Sequence, residues 1–310
     1  MVRRVPAVLS ARMRTLLIPV LVAACGAGSS PAGTSDGPDG GAGADAPAHG
    51  VAAPLIPQPT GTCPAIANGD VTFAPAGMPP RKVNLALDPA KIGHGPLILY
   101  WYATGSSTQE AAYSLGATEA AIIGAGGIVA TPYADASAGS FEWFIVNQSA
   151  KLDDFVLADE VVACLAQAHA IDSTHIHSMG MSAGALQTTA VSFLRAEYIA
   201  SVATYSGGVP PGFTPTNGDP ANRFAALIFD GGASDNVFSV DFKAASEMYK
   251  SMLDAAGHFT AICDHGKGHA IPLDAAPSVA MFFAANGFGA WPSPYVASGL
   301  PASFPSYCAR

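Results

Sequence analysis

The sequence predicts an α/β fold: a mostly parallel sheet covered by helices on both faces, in a single domain. Two observations carry this. Short β-rich runs alternate with helical segments along the chain, which implies right-handed crossovers between parallel strands. Several runs, such as Pro96-Leu-Ile-Leu-Tyr-Trp-Tyr102, are apolar throughout rather than alternating, as a strand buried on both faces requires.

Val71-Thr-Phe73 and Val83-Asn-Leu-Ala-Leu87 read as an opening pair of strands, followed by the run ending at Tyr102. Alanine-rich sequence from Gln109 to Ile123 reads as one helix stopped by Gly124-Ala-Gly-Gly127, and Ile128-Val-Ala-Thr131 as the next strand. Apolar residues at near-helical spacing place a helix over Asp153 to His169. A strand from His175 to Met181 runs into a helix from Ala183 to about Leu194. Strands then follow at Ile199–Tyr205, Ala225–Phe229 and Phe259–Ile262, with helices from about Ser239 to Ala256 and from Ala276 to Ala285. Ligands of such sheets bind at the carboxyl ends of the strands, so the loops that follow the strands are where chemistry is expected.

The first 24 residues read as a targeting segment. Arg3, Arg4, Arg12 and Arg14 form a basic stretch, Thr15 to Ala24 is a short apolar core, and Val22-Ala-Ala-Cys25 resembles a bacterial lipobox with Cys25 as the lipidated residue. The apolar run is too short to span a bilayer. Residues 25–60 are rich in Gly, Ala, Ser, Pro and Asp and are expected to form a tether. Residues 61–310 then form the domain, held outside the cytoplasm on a bacterial membrane through the lipid on Cys25. Loss of the four leader arginines takes the formal charge from −9 to −13, which argues against nucleic acid or an anionic membrane surface as a partner. Cys63, Cys164, Cys263 and Cys308 remain, and export makes disulfides expected. Four cysteines allow three connectivities, and a clip joining the domain's two ends, Cys63 to Cys308, is preferred.

The most telling stretch is His175-Ile-His-Ser-Met-Gly-Met-Ser-Ala-Gly-Ala185. It carries Gly180-Met-Ser-Ala-Gly184, a G-x-S-x-G, between a strand and a helix, the setting of a nucleophile elbow with Ser182 as nucleophile. A short motif in a glycine-rich chain proves little alone, so its partners must carry the argument. A serine hydroxyl needs a base, and the base needs an acid to fix its tautomer. Two later loops, each after a strand, supply both: Asp230-Gly-Gly-Ala-Ser-Asp235 and Cys263-Asp-His-Gly-Lys-Gly-His269. Asp235 is preferred to Asp230 as the acid, because it lies far enough from the strand to curl back. His269 is preferred to His265 as the base. The oxyanion donors are expected to be the amides of Ala183, at a helix N-terminus, and of Thr104, with Gly105 close behind.

Five segments together resemble the secreted polyhydroxybutyrate depolymerase and feruloyl or acetylxylan esterase group of α/β-hydrolases: Leu99 to Ser107, Ile171 to Gly184, Tyr205-Ser-Gly-Gly208, Gly231 to Asp235 and Cys263 to Pro272. The resemblance covers the chain beyond the tether. It implies the α/β-hydrolase fold, a serine carboxylic-ester hydrolase, no cofactor, and Ser182, Asp235 and His269 as the triad. The substrate it implies is a polyester or an acylated polysaccharide. That group usually has His-Gly where this chain has Tyr102-Ala103, so an oxyanion loop of different shape is expected. The alternatives are a serine peptidase on the same fold and a non-catalytic surface binding protein.

Phe141 and Trp143 are candidates for a substrate pocket, with core filling as the competing reading. His175 and His177 alternate onto one strand face, but no third ligand follows at recognisable spacing, so packing is preferred to a metal site.

Overall fold

The computed structural model describes residues 53–213, 219 and 221–310. The leader, Cys25 and most of the expected tether lie outside the described residues. A nine-stranded sheet organises the domain, in the order β1-β2-β4-β3-β5-β6-β7-β10-β11. Its strands are β1 (Gly69–Phe73), β2 (Arg81–Ala86), β3 (Leu97–Trp101), β4 (Ile128–Pro132), β5 (Ile176–Met181), β6 (Ser201–Tyr205), β7 (Ala225–Asp230), β10 (Phe259–Asp264) and β11 (Cys308–Ala309). The pairs β1–β2, β2–β4 and β10–β11 are antiparallel, and the strands from β4 to β10 are parallel to one another. Every residue of β3, β4, β5, β6 and β7 is buried, as the unbroken apolar runs require.

Helices α1 (Glu110–Leu115), α2 (Ala117–Gly124) and α6 (Ala276–Ala285) pack against one another. Helices α3 (Asp153–Gln167), α4 (Ala183–Leu194) and α5 (Phe242–Ala255) form a second group. Arg195 and Tyr198, just after α4, bind Asp159 of α3, and Ser192 of α4 binds Tyr249 of α5. A short α7 (Tyr295–Ser298) precedes β11. Among the described residues no helix is long and apolar enough to cross a membrane.

Three features depart from the expected pattern. The helix expected from Gln109 to Ile123 is broken at Gly116, whose φ of 51° turns the chain between α1 and α2. The helix expected from about Ser239 starts at Phe242. Phe238 and Ser239 adopt positive φ at the tip of a small hairpin, β8 (Asn236–Val237) and β9 (Val240–Asp241), and Asp241 then caps α5 by accepting from the Ala244 amide. The third concerns the cysteines. The disulfides are Cys63–Cys164 and Cys263–Cys308, not a clip from Cys63 to Cys308. The physical reason is the width of the sheet: Cys63 precedes β1 at one edge and Cys308 lies in β11 at the other.

Contacts with the domain begin inside the stretch expected as tether. Leu55 donates its amide to the Glu197 carbonyl, and Glu160 of α3 accepts from the amides of Thr60 and Gly61. The Cys63–Cys164 bond fastens the same segment to α3. A buried ion pair, Arg81 to Asp154 at 2.7 Å, ties β2 to the start of α3. Arg81 also donates to the Tyr133 carbonyl, and Asp154 accepts the Phe144 amide, so the long connection from β4 to α3 is pinned at both ends. Losing one partner of such a pair costs about 3–5 kcal/mol.

Non-reducing peptide mapping is expected to recover Cys63 joined to Cys164 and Cys263 joined to Cys308. Replacing either pair by serine is expected to lower unfolding free energy by about 2–5 kcal/mol, read from denaturant midpoints.

Candidate active site

The parallel register brings several strand ends level. Trp101 pairs with Gly180, Met181 with Tyr205, Tyr205 with Phe229, and Asp230 with Asp264. The ladder continues one residue beyond the strands. Ser182 donates its amide to Tyr205, Ser206 to Phe229 and His265 to Asp230. Residues that follow β3, β5, β6, β7 and β10 therefore share one rim.

Ser182 sits there at φ 56° and ψ −118°, between β5 and α4. A positive φ in a non-glycine residue is costly and is held by its surroundings. Those surroundings demand the two glycines. A Cβ on Gly184 would land on the Trp101 carbonyl, and one on Gly180 would meet that carbonyl and the backbone of Gly184. This strand-to-helix turn is where the sequence places the expected elbow, and Ser182 is buried there.

Asp235 and His269 meet as expected: His269 Nδ1 lies 2.7 Å from Asp235 Oδ1. The other oxygen, Oδ2, accepts from Ser206 Oγ and from the Gly231 amide, each at 2.8 Å. Burial opposes ionisation of Asp235, but the bonds from His269, Gly231 and Ser206 outweigh it and hold the carboxyl below its ordinary value. Phe242 packs on the His269 ring at 4.7 Å between centroids. The loops are joined directly as well, through the Gly268 amide and the Gly231 carbonyl. Ser182 Oγ makes no hydrogen bond to His269 in this structure. Such bonds are often long in unliganded sites and close on substrate.

The two competitors are placed elsewhere. The Asp230 carboxylate accepts the Gly232 amide and no histidine ring, and burial pushes its pKa up to about 6. His265 Nδ1 accepts from the Lys267 amide, and burial lowers its pKa.

The loop after β3 sorts its amides. Ala103 donates to Glu110 Oε1 at 3.0 Å and Gly105 donates to Glu142 Oε1 at 2.7 Å. Between them, the Thr104 amide has no hydrogen-bond partner among the described residues, and neither has the Ala183 amide. Tyr102 accepts the Ala134 amide on its hydroxyl, and its carbonyl accepts from Trp143 Nε1.

Trp143 is a correction. It is fully buried and edge-on to both Trp101 and Tyr102, so it fills the core. Phe141 stays at the surface and pairs edge-on with Phe238, which is 70% exposed at the hairpin tip. A cavity of about 270 Å³ lined by Ile145, Val146, Leu186, Pro210 and Phe213 opens one helical turn from Ser182, although none of Ser182, Asp235 and His269 lines it. His177 is a core residue, stacked on Phe283 and bonded to Ser201, and burial pushes its pKa down to about 3. No group of His, Cys, Asp and Glu among the described residues is arranged to hold a metal.

Sequence reasoning passed over Ser206, Glu110, Glu142, Phe238 and Phe242. Their common signal was position: each lies in or beside a loop that follows a strand's carboxyl end.

No protein-family model matches the chain, and no curated protein matches it by sequence. Solved structures do match. Native pOPH superposes with a TM-score of 0.63 over 80% of this chain and 96% of its own, at 15% identity. A thermostable esterase gives 0.53 over 70% of this chain and 62% of its own, at 12% identity. The fold is that of the α/β-hydrolases. The acylaminoacyl peptidase of Pyrococcus horikoshii gives 0.52 over 71% of this chain, at 12% identity, and the chain spans only 42% of that protein.

Asp230 gives a pH signature. Its folded-state pKa, about 6 against an ordinary 3.8, means the native protein takes up a proton before the unfolded chain does. The charged form therefore weakens the fold above about pH 6, and this penalty fades as pH falls toward 4. Asp230→Asn is expected to melt above wild type at pH 8, with the gap closing at pH 4. A constant gap across that range would contradict this reading.

Proposed function

We propose that the protein is a serine hydrolase of carboxylic esters acting outside the cytoplasm. The observation that carries this is the 2.7 Å contact of His269 with Asp235, on the same rim as an elbow serine at positive φ. Asp235 fixes the tautomer of His269 with Nδ1 protonated, leaving Nε2 to take the Ser182 proton as Oγ attacks the ester carbonyl. The tetrahedral oxyanion is held by the Ala183 and Thr104 amides, the former with the α4 dipole behind it. His269 then protonates the leaving alcohol, and water releases the acyl group by the same steps in reverse roles.

The substrate is a polyester or an acylated polysaccharide, as in the depolymerase and feruloyl esterase group that the sequence resembles. Exposed Phe238 and half-buried Phe141 beside the acid loop suit a flat or extended apolar chain. Two disulfides support an oxidising compartment, and the lipobox-like Val22 to Cys25 supports attachment to a membrane through lipid on Cys25.

A fluorophosphonate probe is expected to label the protein and to miss Ser182→Ala. Labelling that survives in Ser182→Ala, or no labelling at all, would sink the enzyme reading. Asp235→Asn is expected to lower kcat by about 10⁴ with the fold intact. Parallel assays on nitrophenyl esters and peptide anilides separate an esterase from a peptidase. Phe238→Ala is expected to reduce turnover of polymeric or aryl esters more than that of a nitrophenyl acetate.

A further inference from the structure

Residues 141–143 form a short segment with three attachments. Phe141 reaches the hairpin beyond Asp235 through Phe238. Trp143 grips the oxyanion loop at its start, through the Tyr102 carbonyl. Glu142 grips it at its end, through the Gly105 amide at 2.7 Å. Glu110 holds the Ala103 amide from the other side, and its carboxylate also accepts from Tyr100 Oη at 3.1 Å.

On charge alone this arrangement is unfavourable. A carboxylate beside a site where negative charge develops opposes that charge. Glu142 also leaves its Oε2 buried without a hydrogen-bond partner, a cost that calls for an explanation. Geometry supplies one. Of three successive amides, those of Ala103 and Gly105 are occupied by carboxylates, and only that of Thr104 is left for a ligand.

We propose that Glu142 is a positioning residue for ester hydrolysis: by accepting the Gly105 amide it fixes the turn so that the Thr104 amide faces the oxyanion. The inference rests on the esterase reading and on Thr104 as a donor. It assigns Glu142 an acceptor's role, for which reach matters and charge does not. The same segment is anchored below by the Phe144 amide on Asp154, so Glu142 acts from a fixed base. Glu110 supports the near side of the turn. Burial raises its pKa against the bonds it accepts.

The test compares Glu142→Asp, which keeps the charge and shortens the reach by one methylene, with Glu142→Gln, which keeps the reach and removes the charge. Hydrolysis of p-nitrophenyl butyrate by the full chain is measured, with kcat normalised by fluorophosphonate titration of folded sites. Glu142→Asp is expected to lose about tenfold or more in kcat with KM changed by less than about twofold, as a misplaced oxyanion donor dictates. Its affinity for a trifluoromethyl ketone, whose serine adduct carries the oxyanion, should fall by a matching factor. Glu142→Gln should recover most of both losses. Wild-type kcat in Glu142→Asp, a Glu142→Gln variant as impaired as Glu142→Asp, or a loss confined to KM would each overturn the proposal. Failure of the esterase reading is separately visible, as turnover that persists in Ser182→Ala or is absent from the wild type, and it takes this inference with it.

Discussion

Everything at the rim depends on one close approach, that of the elbow backbone to the end of β3. Gly184 and Gly180 lie against the Trp101 carbonyl with no room for a Cβ. That contact sets the height of α4 over the sheet and fixes the direction of the first α4 amide. The 103–105 turn begins two residues after Trp101, so it leaves the sheet beside this contact. The strained φ of Ser182 is tolerated because it is held from both sides, by the buried strand before it and by its own amide on Tyr205. Moving either glycine contact would shift the elbow relative to the end of β3.

The second theme is how two carboxylates a few residues apart are given opposite characters. Asp235 collects three donors and stays ionised, while Asp230 collects one amide and is pushed up to about 6. A triad acid must be charged when the imidazolium forms, so only the former environment suits the role. The distinction comes from hydrogen bonds and not from depth, since both side chains are fully buried. Ser206 adds to the bonds from His269 and Gly231. It belongs to neither loop, yet its position at the end of β6 lets it steady the carboxylate between the elbow and the histidine.

The sequence made much of this legible. Unbroken apolar runs identified the buried strands, α4 and α6 lie where their residues placed them, and the elbow, Asp235 and His269 stood in hydrolase order. What was not legible depended on contacts between distant segments. Nothing local tells Glu142 that it will face Gly105, or Trp143 that its ring will be shut between Trp101 and Tyr102; both were decided by how the β4–α3 connection is pinned at Arg81 and Asp154. The hairpin at Phe238 was missed because positive φ in a phenylalanine is a tertiary outcome with no propensity behind it. The cysteine pairing was misjudged for a related reason: ends of a chain that are far apart in sequence need not be neighbours when a wide sheet lies between them.

That pairing has a consequence for how molecules of this protein meet one another. An open sheet has two borders, each a template on which a foreign strand can grow. Here one border strand, β11, is two residues long and is covalently stitched to its neighbour through Cys263–Cys308, while the other follows a segment stitched to α3 through Cys63–Cys164. A border strand that cannot peel away cannot be exchanged with a second copy. Wherever many copies are crowded side by side, the seams keep each chain's outer strands its own.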